Sequence, residues 1–277
     1  MDRTDLLVDA DWVTAHADDP NVVLVEVMDQ NGARDRGRIA GAVRIEWTTE
    51  LQDPVCRDFL DQAAFEKLLS AKGIGNDHTV VLYSGNHNWW AASLYWYLKV
   101  YGHNDVRLLD GGRAKWELDS RPLVEEEPVR QATSYVAAPR DLTTRATRDD
   151  VLSAIGTRNL LDVRSVPEYT GELVAPAGVP QDPSLKRGHV PSARNIPWEK
   201  ATNQDETFLP NDELAKVYAD VDFDRETIVY CRMGWRSSHT WFVLHELLGR
   251  RGIANYDGAW VEYGALVAAP IAKGNEA

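Results

Sequence analysis

Cysteine is scarce in this chain: Cys56 and Cys231 are the only two among 277 residues. Two thiols cannot build a disulfide framework, so a reducing compartment is expected. With so few thiols and only seven scattered histidines there is no metal-ligand cluster, and neither a metal nor another cofactor is expected. Long apolar runs are missing as well. Met1 to Leu6 contain no apolar h-region and no segment approaches membrane-spanning length, which predicts a cytoplasmic protein. Nor is there an excess of positive charge. A net charge of −13 argues against a nucleic-acid backbone or an anionic membrane as partner. It leaves room for a local cationic pocket that takes a small anion. What is present is ordinary for a soluble protein, with 44% hydrophobic and 26% charged residues, and the length suggests one or two domains.

The order of elements is stated twice. Val22 to Val27 reads as a buried strand and Arg36 to Ala42 as a second, short one, followed by Trp47. A helix opens at Asp61 and stops at Gly73; Thr79 to Tyr83 is a strand, Ala91 to Val100 a helix, and Val106 to Leu109 a strand that ends in the turn Asp110-Gly111-Gly112. Residues 121–146, with their prolines and the cluster Glu125-Glu126-Glu127, read as a linker between domains 1–120 and 147–277. Thereafter Leu160 to Val163 echoes Leu24 to Val27, and Arg187 to Ala193 echoes Arg36 to Ala42. Tyr230-Cys231 falls on Tyr83-Ser84 and Asp257-Gly258 on Asp110-Gly111, both 147 residues on. A shared order with shared landmarks means tandem duplication. Strands alternating with helices predict one mostly parallel sheet per half, covered on both faces, with ligands beyond the carboxyl ends of the strands.

Cys231 stands where such a ligand would sit. It follows the β-branched run Thr227-Ile228-Val229-Tyr230 and precedes a segment of helical spacing that ends at Gly249. Unpaired amides at a helix start, the helix dipole, and Arg232 and Arg236 within five residues all favour a thiolate there. A buried hydrophobic role is the ordinary fate of a strand-end cysteine, but a dry core does not hold unpaired guanidinium groups. The first half has Ser84-Gly85-Asn86-His87-Asn88-Trp89 at this position, with neither thiol nor arginine, and is expected to be catalytically silent.

These features resemble the two-domain rhodanese family of sulfurtransferases over essentially the whole chain. The resemblance rests on Cys-Arg-x-Gly-x-Arg-Ser at 231–237, on Gly-His-Val-Pro-Ser-Ala-Arg-Asn-Ile at 188–196, on Asp162-Val163-Arg164, and on the Asp-Gly turns. It implies an α/β protein of two tandem rhodanese-like domains. It also implies a two-step cycle in which Cys231 takes the sulfane sulfur of thiosulfate as a persulfide and passes it to a thiophilic acceptor. Cyanide, small thiols, or thioredoxin or another thiol protein are the acceptors it suggests. In this scheme Arg236 grips the departing sulfite, with Arg232 second. Gly234 lets the backbone turn close to the sulfur, Met233, Trp235 and Ser237 complete the pocket, and Arg164 adds positive potential or else pairs with Asp162. Thiosulfate-specific vertebrate members have basic residues where this chain has Met233 and Glu168, so the pocket mouth is less cationic. The alternative donor is 3-mercaptopyruvate, although its enzymes usually carry a Cys-Gly-Ser-Gly loop.

Two rivals stand further off. A thiolate phosphatase or arsenate reductase needs Cys-x5-Arg, whereas Arg236 comes one residue early and Ser237 takes its place. A non-catalytic rhodanese-like binding module usually lacks the cysteine. His239 and His245 read as helix-surface or packing residues, and His189 as a structural residue bonding the turn before Pro191. Cys56 has no strand before it and reads as structural or merely exposed. The insertion Gly171 to Ser184, with no counterpart in the first half, reads as a surface loop.

Overall fold

The computed structural model describes residues 2–28 and 37–275. Arg36, the first residue of one repeated motif, lies outside them. The chain divides into two units, residues 1–141 with 203–208, and residues 142–202 with 209–277.

In unit 1 the elements are β1 (Leu7–Val8), α1 (Ala10–Ala15), β2 (Val22–Met28), β3 (Val43–Glu46), α2 (Trp47–Glu50), α3 (Gln62–Ala71), β4 (Thr79–Tyr83), α4 (Trp89–Val100), β5 (Val106–Leu109) and α5 (Gly112–Leu118). The five strands are parallel in the order β1-β5-β4-β2-β3. Asp9 and Asp61 start α1 and α3 by accepting from the N–H groups of Trp12 and Ala64 at 2.7 Å. α4 is buried along nearly its whole length, so its sequence shows little amphipathic contrast.

Unit 2 repeats the plan with α6 (Arg148–Ala154), β6 (Asn159–Asp162), α7 (Val166–Thr170), β7 (Arg194–Asn195), α8 (Asn211–Val217), β8 (Thr227–Tyr230), α9 (Trp235–Trp241), β9 (Ile253–Tyr256) and α10 (Ala259–Tyr263). Its four strands, β7-β6-β8-β9, are parallel and match β3-β2-β4-β5. The fifth position shrinks to a parallel bridge between Arg145 and Asn255.

Individual bonds recur with the strands. Ile39 N–H donates to the Tyr83 hydroxyl at 3.0 Å, and Val190 N–H to the Tyr230 hydroxyl at 3.1 Å. Arg113 N–H donates to Ser84 O and Trp260 N–H to Cys231 O, each at 3.0 Å. Glu26 lies opposite Tyr83 and Asp162 opposite Tyr230 in register, and both carboxylates are buried and bound by arginine. Such agreement follows from one ancestral frame used twice.

Three expectations need correction. The motif at 37–42 forms only an isolated antiparallel bridge, Arg38 to Val124, and the sheet strand is the next segment, β3. β7 likewise begins after the motif at 187–193. The helix after Cys231 changes to π winding over Phe242–Leu247 before the chain turns at Gly249. As for residues 121–141, they run along unit 1: Val124 pairs with Arg38, Thr133 N–H donates to Ser70 O, and Ala138 N–H to Tyr101 O.

Candidate active site

β8 delivers Cys231 to the carboxyl edge of the unit 2 sheet, and α9 begins four residues later. Only Arg232, Met233 and Gly234 separate the thiol from the helix. So short a connection needs a left-handed residue, and Gly234 supplies it at φ +97°. A Cβ at Gly234 would stand 3.1 Å from Asp257 O, so the position is limited by space as well as by backbone angle. The outer side of the loop is tied down by α10, whose first-turn N–H groups on Trp260 and Val261 donate to Cys231 O and Arg232 O at 3.0 and 3.1 Å. With the Cys231 and Arg232 carbonyls taken up by α10, the loop can present N–H groups on the other side. Gly234 N–H meets Cys231 Sγ at 3.1 Å. Ser237 Oγ lies 3.6 Å from the sulfur and 2.9 Å from Gly234 O. The thiol is 1% exposed, yet its nearest partners are polar.

Charge around the loop is arranged in pairs. Arg236, 6% exposed, makes two parallel bonds to Glu168, Nη1 to Oε2 and Nη2 to Oε1, both 2.8 Å. Glu168 also accepts from the Ser165 hydroxyl at 2.8 Å. Burial alone would raise the Glu168 carboxyl, but the bonds and charge of Arg236, with Arg164 beyond, hold it below its ordinary value. Burial would likewise lower Arg236, and Glu168 holds it above the usual arginine value. Beneath them Arg164 is fully buried against Asp162, with Nη2 at 2.6 Å from Oδ2 and 2.7 Å from Gly188 O, and its guanidinium lies 4.3 Å from the Trp260 ring centre. Two buried carboxylates thus offset two buried guanidiniums. Arg232 stands outside this balance. It is half-buried, 3.3 Å from Met233 Sδ, and burial pulls its guanidinium below the ordinary value against the charges of Glu168, Cys231 and Asp182.

The matching loop of unit 1 is built differently inside the same frame. Four residues separate Ser84 from α4, and Asn86, His87 and Asn88 are all left-handed. The Asn88 side chain fills the interior: Oδ1 accepts from Ser84 N–H at 2.8 Å and Nδ2 donates to Leu109 O at 2.7 Å. This loop holds no arginine or lysine, and His87 N–H donates to Glu206 Oε2 at 2.8 Å.

A family model of the rhodanese-like domain matches residues 9–119 and 147–266. The chain belongs to the rhodanese family. Among curated relatives of this rhodanese, a Mycolicibacterium smegmatis protein provisionally named thiosulfate sulfurtransferase is 56% identical over 277 residues, covering 99% of this chain and 100% of its own length. The sulfur carrier protein TtuD of Thermus thermophilus is 47% identical over 279 residues, 98% of each chain. Among solved structures, SseA from Escherichia coli, described as a 3-mercaptopyruvate sulfotransferase, is 26% identical with a TM-score of 0.77, over 92% of this chain and 98% of its own.

Within this rhodanese the structure brings Cys231, Arg232, Met233, Gly234, Trp235, Arg236 and Ser237 into one loop and helix start. One candidate contact is corrected, and for a second the paired alternative holds. Arg236 is not free to grip an anion, because its two outer nitrogens are committed to Glu168. Arg164 is sealed beneath the loop layer in its pair with Asp162. Arg232 remains the half-exposed cation of the loop. His189 holds Tyr169, with Nδ1 2.8 Å from Tyr169 O and the rings 3.7 Å apart. His239 packs edge-on to Trp198, and His245 stacks on Trp241. Cys56 is exposed, with Sγ 3.2 Å from Asp53 Oδ1. The sequence placed Glu168 at the pocket mouth but not as the partner of Arg236, and it did not place Asp182 near the site. Glu168 is separated from the loop by 68 residues, but the sequence Ser-x-x-Glu at 165–168 is a capping box that could have marked it as the start of a helix aimed at the sheet edge. Asp182, in the insertion read as a plain surface loop, lies near enough for its charge to act on Arg232.

Proposed function

We propose that this rhodanese carries sulfane sulfur on Cys231, taking it from thiosulfate and giving it to a thiophilic acceptor such as cyanide, a small thiol, or the thiol of thioredoxin or another protein. The thiolate attacks the outer sulfur of thiosulfate. The sulfur–sulfur bond of the donor breaks with its electron pair on the departing sulfite, and Cys231 is left as a persulfide anion. The acceptor then attacks the terminal sulfur, and the thiolate returns. The observation that carries this reading is the Gly234 N–H aimed at Cys231 Sγ at 3.1 Å from a loop whose Cys231 and Arg232 carbonyls are taken up by α10. Such donors stabilise sulfur charge without reorganising during the reaction. Arg232 is the cation for the sulfite end, while Glu168 and Arg236 hold α9 and α7 together beneath it. Unit 1 is the silent half, and the catalytic unit is expected to span residues 147–277.

A second donor has one observation in its favour. Because Arg236 is neutralised by Glu168, the loop offers one uncompensated cation, which suits the single carboxylate of 3-mercaptopyruvate. Steady-state thiocyanate formation with both donors on one preparation decides between them. The expected outcome is a higher kcat/KM with thiosulfate and no turnover for Cys231→Ser. A higher value with 3-mercaptopyruvate replaces the donor and keeps the persulfide. Turnover by Cys231→Ser removes both.

A further inference from the structure

Unit 1, read as silent in sulfur transfer, holds a crevice of its own. A crevice of about 390 Å³ opens between α1, α5 and the segment after α5, on the side of the sheet away from α4. That volume falls within the range of small-molecule sites. Its floor is core: Leu24 of β2, Val81 of β4 and Trp116 of α5 are all buried, and Val13 and Ile39 join them. The duplicated frame shows that such a gap is not demanded by the fold. The residues matching Leu24 and Val81 are Leu160 and Ile228, and in unit 2 their cluster is packed by Leu266, Ala269 and Ile271 from the chain after α10. In unit 1 the corresponding segment, after α5, packs only Leu123 against the matching cluster, and Pro122, Val124, Pro128, Val129 and Arg130 line an open crevice over it.

The rim carries one cation without a counter-ion. Arg130 is half-buried at the crevice, and among the described residues it has no hydrogen-bond or ion-pair partner. Glu127, the acidic residue of the segment nearest in sequence, is directed to Arg38 at 3.6 Å. The neighbouring Arg121 is spent on Asp11, Thr14 and Ala10 O. Trp12 and His16, stacked at 3.9 Å, form an aromatic wall on the same rim. Arg130 lines the crevice with its Nε toward the Gly73 turn, 3.3 Å from where a Cβ on Gly73 would stand, and an apolar slot with one such cation among its lining residues suits a molecule with an apolar body and one terminal carboxylate. We propose that unit 1 is a binding domain for a small apolar monocarboxylate of the aliphatic or aryl class, its body on Leu24, Val81 and Trp116 and its carboxylate on Arg130. This site is independent of Cys231 and of the donor assignment.

Calorimetric titration of the full chain with octanoate, and with 1-octanol as the uncharged analogue, tests it. Octanoate is expected to bind one to one with a dissociation constant on the order of 0.1–1 mM, and octanol more weakly. Arg130→Gln should weaken octanoate about tenfold and leave octanol as it was, with Arg130→Lys recovering part of the loss. Ala17→Trp, on the exposed rim, should block both ligands. Circular dichroism and retained sulfur transfer establish that each variant is folded. Absence of one-to-one binding below about 10 mM overturns the proposal. So does equal affinity for octanoate and octanol, or octanoate binding indifferent to Arg130→Gln or to Ala17→Trp.

Discussion

Glu168→Gln removes one negative charge from a buried ion pair while keeping the size of the side chain. In the native protein Glu168 gives Arg236 two charge-assisted bonds of 2.8 Å and accepts another from Ser165. Glutamine retains one acceptor oxygen and turns an N–H₂ group toward a guanidinium that is only 6% exposed. Leaving one member of a buried pair uncompensated costs about 3–5 kcal/mol, and the surviving acceptor returns about 1 of it. The expected loss is therefore about 2–4 kcal/mol. Urea unfolding of the full chain at neutral pH, followed by tryptophan fluorescence, reads it as a lower midpoint for unit 2. The pH dependence supplies a second mark. A carboxyl held below its unfolded value stabilises the fold above that value and loses the contribution as pH falls through the folded one. The Glu168 carboxyl lies below its ordinary value of 4.5, so the gap between wild type and variant should be constant above about pH 5 and close in more acid solution. Pairing Glu168→Gln with Arg236→Met should restore much of the stability by removing the stranded charge. A loss under about 0.5 kcal/mol, or a gap that widens on acidification, would refute the reasoning.

Further outcomes concern the loop and its cation. Arg232→Gln should raise the KM for an anionic donor, with kcat/KM falling by about 1–3 kcal/mol and the melting temperature unchanged; equal kinetics would take Arg232 out of donor binding. Gly234→Ala should destabilise unit 2 by at least about 1–2 kcal/mol from the left-handed backbone alone, since its Cβ also meets Asp257 O at 3.1 Å; a neutral effect in urea unfolding would show that the loop can close another way. Asn88→Ala should lower stability by about 1–3 kcal/mol by stranding Ser84 N–H and Leu109 O, both bonded to its side chain, and leave sulfur transfer intact; a large fall in turnover would mean that unit 1 takes part in the chemistry.

Much of the architecture was legible because it repeats. The apolar runs at Val22, Thr79, Leu160 and Thr227 are buried on both faces, and a parallel sheet needs such runs. The match of Tyr83 with Tyr230 was visible as a spacing, and the structure gives it a cause: each hydroxyl accepts the same N–H of the neighbouring motif. Strand limits were harder to place. Residues 37–42 and 187–193 look like strands because each carries a short apolar stretch, but glycine and proline break the ladder and pairing begins one step later. The loop of Cys231 could be read from its own residues, being local. What arginine does there could not, since the partner of Arg236 comes from α7, 68 residues away, and a charged residue in sequence does not announce whether it faces substrate or a buried carboxylate. For Arg164 the sequence left two roles open, and the structure takes the pairing with Asp162, two residues before it.

The most direct measurement is the intact mass of the chain after exposure to thiosulfate and removal of excess donor, followed by peptide mapping. The account predicts a gain of one sulfur atom on Cys231, lost on addition of cyanide and absent in Cys231→Ser. Sulfur found on Cys56, or a chain whose mass never changes while transfer proceeds, would contradict it.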